Sequence, residues 1–168
     1  IIPNIIKDRE KEIKGIDEVL SQIAKENKIR MPANARAEGG DVMLCNEYIF
    51  VGYSENKDFE KYTVARTNRD GLDFLIEMFP DKKVKGFELN KSDENPKENA
   101  LHLDCCFQPI GKDMAIMYKG GFKNIEDVEF LISYFGSENI IEISNEEMYN
   151  MNSNIFAISE DVVISEKG

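Results

Sequence analysis

One order of elements, strand–strand–helix–strand, is predicted twice along this sequence, and it constrains the fold more than any other feature. Continuous and alternating apolar runs indicate the strands, and apolar residues three and four positions apart indicate the helices. The predicted elements, in chain order, are a hairpin over 42–52, a helix over 68–79, a strand over 84–89, strands over 101–107 and 114–118, a helix over 124–135, a strand over 140–143 and a hairpin over 154–164. Such a repeat is typical of units that pack against neighbours of the same kind.

The repeat divides the chain into four segments of one incomplete domain, and we expect the chain to be the middle of a longer molecule. The first segment ends an earlier repeat, the second and third are complete repeats, and the fourth begins a further one. Their bounds are 1–36, 37–99, 100–150 and 151–168. Within the first, apolar residues from Ile13 to Ala24 predict one helix whose weak point is Gly15. On periodicity alone, an ordinary α/β sandwich fits equally well.

The helices of the two complete repeats carry start and stop signals. Thr67 or Asn68 is predicted to cap the first of them. Asn124, with Asp127 three residues later, is predicted to begin the second in the manner of a capping box, and Gly136 to end it. Both strands of the first hairpin are expected to be largely buried, because their apolar runs are nearly continuous.

Charge and cysteine usage exclude several classes of function. With 21 basic and 32 acidic side chains the net charge is −11, whereas nucleic acid and anionic membrane surfaces bind to basic faces. The 42% apolar content is typical of a folded chain, and no apolar run approaches the length of a bilayer span. Three cysteines without a CxxC pair argue against disulfides and against a cysteine-rich zinc site, and they predict a cytoplasmic protein.

Polar side chains recur where the first strand of each hairpin begins. Glu38 and Asp41 precede one hairpin, His102 and Asp104 stand in the next, and Asn154 opens the last. In a closed repeat architecture, equivalent positions converge on one axis, so we expect these side chains in one pocket. His102 is the only histidine, and an imidazole beside a carboxylate at i+2 on a strand suits general acid–base catalysis. The alternative is a lone histidine hydrogen-bonded at a sheet end.

Three further residues have both a functional and a structural interpretation. Arg66 precedes a predicted helix, so it could bind a substrate carboxylate with its planar guanidinium or be a solvated surface residue. Cys105 and Cys106 fall on opposite faces of the predicted strand, and buried small apolar side chains are favoured over nucleophiles at both positions. No metal site is predicted, because one histidine and no cysteine cluster offer a poor set of ligands.

The sequence resembles the guanidino-group-modifying enzymes, which include arginine deiminase, dimethylarginine dimethylaminohydrolase and glycine amidinotransferase. The resemblance lies in four motifs in the same order: Glu38-Gly39-Gly40-Asp41-Val42, Ala65-Arg66-Thr67, His102-Leu103-Asp104 and Asn154-Ile155-Phe156-Ala157-Ile158. It covers nearly the whole chain. It implies the pentein fold, a pseudo-fivefold α/β propeller of strand–strand–helix–strand repeats, of which this chain holds part.

The resemblance also implies roles for six residues. Glu38 and His102 are the implied catalytic acid–base residues. Asp104 is implied to bind the substrate guanidinium and Arg66 its α-carboxylate, while Asp41 supports the site and Asn154 lines it. The nucleophilic cysteine of the family belongs to the last repeat, and a further guanidinium-binding aspartate lies upstream of the first helix. We expect both outside this chain, since Cys105 and Cys106 do not match the nucleophile.

The implied activity is hydrolysis of a C–N bond in arginine, citrulline or a related guanidino or ureido amino acid, without a cofactor. In this chemistry a thiolate attacks the guanidinium carbon, and His102 protonates the departing amine and then activates water. Two alternatives stay open: amidinotransfer to an amine acceptor, and a pentein binding module without catalytic activity. The sequence leaves the formation of a homo-oligomer open.

Overall fold

Eight strands in the computed structural model, which describes residues 1–165, form two three-stranded sheets and a separate hairpin. The strands are β1 (Val42–Cys45), β2 (Tyr48–Tyr53), β3 (Lys83–Glu88), β4 (Phe107–Ile110), β5 (Met114–Met117), β6 (Ile140–Glu142), β7 (Phe156–Ser159) and β8 (Val162–Ile164). The helices of the described residues are α1 (Glu10–Lys14), α2 (Asp17–Ser21), α3 (Asn56–Lys61), α4 (Arg69–Met78), α5 (Ile125–Phe135) and α6 (Asn145–Tyr149). No helix in this part of the chain is long and apolar enough to cross a membrane.

The two three-stranded sheets have the same topology. In the first, β1 and β2 are antiparallel and β3 returns parallel to β2 after α3 and α4. In the second, β4 and β5 are antiparallel and β6 returns parallel to β5 after α5. This confirms the strand–strand–helix–strand order twice, and the β7–β8 hairpin opens a third round. Pseudo-fivefold closure and the division at 36, 99 and 150 stay predictions, and residues 166–168 of the last segment lie outside the described residues.

The first hairpin turns through Asn46, which adopts a positive φ of 52° as tight two-residue turns require. Both faces of β2 are buried, since Ile49 and Val51 pack on α4 while Phe50 faces the second repeat. The expectation of two buried strands is wrong for β1, where Leu44 is 77% exposed. The reason is the alternation of side chains along a strand, since Met43 and Cys45 face the core and Leu44 faces the opposite side.

An aromatic cluster joins the two repeats into one core. Phe50 and Phe87 come from the first sheet, and their ring centroids lie 5.3 Å apart. Phe107 of the second repeat lies 5.9 Å from Phe50, and Leu131 of α5 is fully buried in the same cluster. Because these side chains are shared, neither repeat buries its apolar face without the other.

The capping signals are confirmed at α4 and in part at α5. Asn68 accepts a hydrogen bond from the Gly71 amide at 2.9 Å and caps α4. Gly136 ends α5 with a positive φ of 84°, as predicted. The expected capping box at Asn124 is wrong, since the side chain of Asp127 bonds instead to the Lys85 ammonium, 2.5 Å away on β3.

The single helix expected between Ile13 and Ala24 is wrong. The segment forms the short helices α1 and α2, which are separated at Gly15 and Ile16. Glycine weakens a helix interior, and the apolar face of the segment is not buried, with Ile16 47% exposed and α2 burying no residue. This segment is therefore held mainly by its polar contacts.

Candidate active site

The motifs that begin at Glu38 and at His102 each form a short 3₁₀ turn of the same kind. Gly39–Asp41 forms one turn and Leu103–Cys105 the other. The Asp41 amide donates to the Glu38 carbonyl at 3.1 Å, and the Cys105 amide donates to the His102 carbonyl at 3.2 Å. Glu38 and His102 therefore occupy equivalent positions, each in extended conformation immediately before its turn.

The predicted strand over 101–107 is wrong before Phe107. Hydrogen bonds from each amide to the carbonyl three residues back close the turn, and these bonds exclude a strand ladder. Because this segment is a turn, its side chains do not alternate between two faces as they would on a strand. The expected placement of His102 and Asp104 on one face, and of Cys105 and Cys106 on opposite faces, is therefore wrong. Cys105 instead lies with its Sγ 3.6 Å from Asp104 Oδ1. The three cysteines are buried, as expected for small apolar residues, and burial raises the pKa of Cys45 to about 11.

Asp41 joins the two turns from behind. Its Oδ2 accepts a hydrogen bond from the Thr67 hydroxyl at 2.6 Å, and its Oδ1 accepts one from the Leu103 amide at 2.9 Å. Burial raises the pKa of Asp41, while the charges of Lys91 and His102 and the two donors act in the opposite direction. Asp41 is 1% exposed, so its carboxylate supports the neighbouring turn and has no free face for a ligand.

Glu38 and His102 form an ion pair between the two repeats. His102 Nε2 lies 3.0 Å from Glu38 Oε2, and Glu38 is only 5% exposed. Burial by itself would raise the pKa of Glu38, but the hydrogen bond to His102 and the charge of Arg9 outweigh burial and lower it. The guanidinium of Arg9 contacts the same Oε2. The arrangement favours a carboxylate beside a protonated imidazole.

We expect the imidazole of His102 to titrate near pH 9. Burial alone would lower its pKa, yet its hydrogen bonds to Cys105 and Glu38 and the nearby carboxylates of Asp41 and Asp104 raise it to about 9. Because this pKa exceeds the value of about 6.5 in an unfolded chain, the proton binds more tightly to the folded state. Its contribution to stability is complete below pH 6.5 and is lost as the pH rises through about 9.

The measurement is direct, since His102 is the only histidine of the chain. Proton NMR of its ring follows the titration in the untagged protein. Denaturant unfolding across the same pH range is compared with that of His102→Gln, in which this pH dependence disappears. A midpoint near 6.5 would contradict the ion pair with Glu38.

Asp104 lies at the edge of an open groove of about 890 Å³. Gly39, Gly40 and Asn154 line the same groove, so residues from the openings of all three rounds meet there. Burial raises the pKa of Asp104, partly offset by His102, Cys105 and Asn154. Of the side chains expected in one pocket, Asp104 and Asn154 line this groove, whereas Glu38, Asp41 and His102 are not among its lining residues.

Gly40 packs directly against the side chains of His102 and Asp104. A Cβ atom at this position would lie 2.7 Å from Asp104 Oδ2 and 3.0 Å from the Cβ and Cγ atoms of His102. A Cβ on the adjacent Gly39 would meet nothing within 4 Å. The Gly-Gly pair thus has one position that must lack a side chain for His102 and Asp104 to hold their places.

Two charged groups of the described residues carry buried atoms without a protein hydrogen bond. These atoms are Oε1 of Glu38 and Nε and Nη1 of Arg66. Arg66 is close enough for its charge to lower the pKa of Glu38. Buried polar atoms are rarely left unpaired in folded proteins, so these atoms of Glu38 and Arg66 are candidate contacts for a ligand.

One group of potential metal ligands is present in the described part of the chain. The donor atoms of His102, Asp104 and Cys105 all lie within 4.8 Å of one another. The sequence predicted no metal site because one histidine and no cysteine cluster offer a poor set of ligands. All three side chains already have partners, since His102 pairs with Glu38 and the Cys105 thiol donates to Asp104.

Sequence reasoning missed three residues that hold the site together. Thr67 belongs to a recognised motif, but no sequence pattern indicated its hydrogen bond to Asp41. Lys91 lies in a polar loop, and its ammonium donates to the Ala100 and Leu101 carbonyls just before His102, at 2.5 and 2.8 Å. Ser153 is fully buried, and its hydroxyl donates to the carbonyls of Asp104 and Cys105. Each contact spans a long stretch of sequence or lies inside an irregular loop.

Comparison with known proteins identifies the family. The sequence profile of the family described as N,N dimethylarginine dimethylhydrolase, eukaryotic, matches residues 6–165. The chain belongs to this family, within the pentein guanidino-group-modifying enzymes, which confirms the resemblance of the four motifs. Protein YkgA of Bacillus subtilis (strain 168), an uncharacterized protein, is 25% identical over 131 residues, which are 78% of this chain and 38% of YkgA.

Solved structures of similar fold cover most of this chain. The N-terminal domain of ArgZ, an arginine dihydrolase of cyanobacteria, superposes with a TM-score of 0.73 at 20% identity over 96% of this chain and 53% of that one. DDAH from Pseudomonas aeruginosa, complexed with citrulline, gives a TM-score of 0.66 at 21% identity over 94% of this chain and 51% of that one. The fold is thus the mixed α/β fold of these domains, and this chain spans about half of each.

Proposed function

We propose that this chain carries the acid–base and substrate-binding half of a hydrolase that acts on the guanidino or ureido group of an arginine-like amino acid. The observation that carries the proposal is the buried Glu38–His102 ion pair beside unpaired atoms of Glu38 and Arg66. A guanidino amino acid has the matching groups, a planar cation at one end and a carboxylate at the other. Two proteins of the same fold support this substrate class: ArgZ is an arginine dihydrolase, and DDAH is complexed with citrulline.

In the proposed reaction, a thiolate from a cysteine that this chain does not supply forms a C–S bond to the guanidinium carbon. The C–N bond to the departing amine breaks, and the amine leaves with a proton from His102, which Glu38 keeps protonated. Water then attacks the same carbon and gives a proton to His102. The C–S bond breaks, the thiolate is restored, and the ureido product leaves.

Asp104 and Arg66 are proposed to position the substrate at its two ends. Asp104 borders the groove and lies beside His102, so its carboxylate can hold the guanidinium next to the proton donor. The unpaired Nε and Nη1 of Arg66 can each donate a charge-assisted hydrogen bond to an α-carboxylate. Asp41 and Thr67 act behind the site by fixing the turn that holds Asp104.

The test of the proposed function is an assay of the protein expressed from its complete gene. L-Arginine, Nω-methylated arginines and L-citrulline are supplied, and ammonia, methylamines, citrulline and ornithine are measured. Release of an amine from any of them supports the hydrolase. Product that forms only when an acceptor amine is added would identify amidinotransfer, and binding without turnover of any of these compounds would identify a binding module.

We expect Arg66→Gln to weaken the use of L-arginine while leaving that of agmatine, which lacks the carboxylate, nearly unchanged. Loss of a charge-assisted bond to the carboxylate raises KM for arginine by about tenfold to a hundredfold. Arg69→Gln is the matched control, because Arg69 lies on the surface of α4 in a pair with Asp73. Equal losses for arginine and agmatine would remove Arg66 from the carboxylate site.

A further inference from the structure

Arg9 places a guanidinium from the chain itself against the candidate catalytic carboxylate. Its Nη1 donates to Glu38 Oε2, the same oxygen that His102 contacts. Its Nε and Nη2 donate to the two carboxylate oxygens of Glu12, at 2.9 and 2.8 Å. The side chain is thus held between two carboxylates, which is how a protein binds a free guanidinium.

This contact differs from an ordinary surface ion pair in the burial of its partner. The Arg9 side chain is 39% exposed, whereas that of Glu38 is 5% exposed. Exposed ion pairs contribute little because both charges stay hydrated. Here an accessible cation reaches into the site and occupies a carboxylate that water hardly touches, next to the protonated ring of His102.

The segment that carries Arg9 is fixed to the rest of the chain on its N-terminal side, a few residues before Arg9. The Asn4 side chain donates to the carbonyls of Pro32 and Ala35, and the Arg36 guanidinium donates to the Ile5 carbonyl. After Arg9 the chain continues into α1 and α2, and α2 buries no residue. Release of Arg9 from Glu38 therefore disturbs little apolar packing.

We propose that Arg9 is an internal competitor for the guanidinium site, a specificity-determining residue that must leave Glu38 before a cationic substrate binds. The inference rests on the proposed function. Glu38 already faces two cations, Arg9 and His102, so a third cation meets repulsion until Arg9 leaves. A neutral ureido ligand meets no such repulsion. Arg9 thereby lowers the affinity for guanidino ligands relative to ureido ligands.

The experiment uses the guanidinium ion itself as the probe and the single imidazole of the chain as the reporter. Guanidinium chloride is titrated at low, non-denaturing concentrations and constant ionic strength, and the His102 ring signals are followed by NMR. We expect Arg9→Gln to bind guanidinium at least about fivefold more tightly than the unchanged chain does. Urea, the neutral analogue, binds both with the same affinity.

Two further variants make the test specific. Lys11→Gln removes one positive charge from the same helix and is expected to leave guanidinium affinity unchanged within about twofold. Glu12→Gln frees Arg9 from its second carboxylate and raises guanidinium affinity, and this gain disappears in the Arg9→Gln background because the two changes act on one contact. Arg9→Lys, which cannot bridge two carboxylates side by side, is expected to have an intermediate affinity for guanidinium. Circular dichroism verifies that each variant is folded.

The outcomes separate this inference from the proposed function. Equal guanidinium affinity in Arg9→Gln and in the unchanged chain overturns the inference, even if the complete protein hydrolyses arginine. Weaker binding in Arg9→Gln also overturns it and makes Arg9 a ligand contact. Tighter binding in Arg9→Gln supports the competition, even if the assay of the complete protein finds no turnover and so overturns the hydrolase.

Discussion

The variant His102→Ala of the complete protein is expected to lose about 10³-fold in kcat/KM for its guanidino substrate. The imidazole is the proposed donor of the proton to the departing amine, and removal of a general acid–base residue typically costs about 10² to 10⁴ in rate. The effect appears in kcat rather than in KM, since His102 acts on the reacting atoms. Steady-state kinetics over a range of pH measures it.

The same substitution leaves Glu38 without its imidazole partner, so a loss of stability must be separated from a loss of chemistry. Thermal unfolding of His102→Ala is recorded beside that of His102→Gln, which keeps a polar group near Glu38. Glu38→Gln is expected to lower kcat as well, whereas Glu142→Gln, which removes an exposed carboxylate paired with Lys119, leaves kcat unchanged. Turnover by folded His102→Ala within twofold of the unchanged protein would remove His102 from the mechanism.

Gly40→Ala is expected to reduce kcat/KM by about 10²-fold while the chain still folds. The added Cβ would lie 2.7 Å from Asp104 Oδ2 and 3.0 Å from His102, so both side chains have to move. Displacement of reacting groups by about 1 Å can cost this much in rate. Overpacking of this kind costs about 1–3 kcal/mol of stability, which denaturant unfolding measures.

Gly39→Ala is the matched control for Gly40→Ala. The two glycines are adjacent in the same 3₁₀ turn, but a Cβ on Gly39 meets nothing within 4 Å. We therefore expect Gly39→Ala to unfold at nearly the same denaturant concentration as the unchanged protein. Equal loss of activity in both variants would mean that the turn needs glycine for its backbone, and that contact with His102 and Asp104 is not the cause.

Much of the fold could be predicted from the sequence, because buried strands and amphipathic helices leave periodic apolar patterns. The two complete repeats and the third hairpin follow these patterns closely. The errors lie where local pattern and tertiary contact disagree. The run from Leu101 to Phe107 is as apolar as a strand, yet the Leu103 amide bonds to Asp41, 62 residues away. The helix expected near Gly15 fails because the segment has no apolar surface to cover it.

The candidate site could be predicted in its members more than in its geometry. Glu38, His102, Asp104 and Arg66 belong to motifs that the sequence displays, although their catalytic roles stay predictions. Arg9 could not be found in the same way. Its local pairing with Glu12 is an ordinary i, i+3 pattern, and its contact with Glu38 joins residues 29 positions apart.

The ion pair between Glu38 and His102 also determines the stage of folding at which the candidate site forms. The two residues are 64 positions apart, so their contact closes a long loop that local structure cannot form early. During synthesis the first repeat leaves the ribosome with Glu38 in place before the second repeat delivers His102. A nascent chain that ends before His102 therefore lacks the proposed proton-transfer pair, and the docking of the second repeat is the folding step at which the pair first forms.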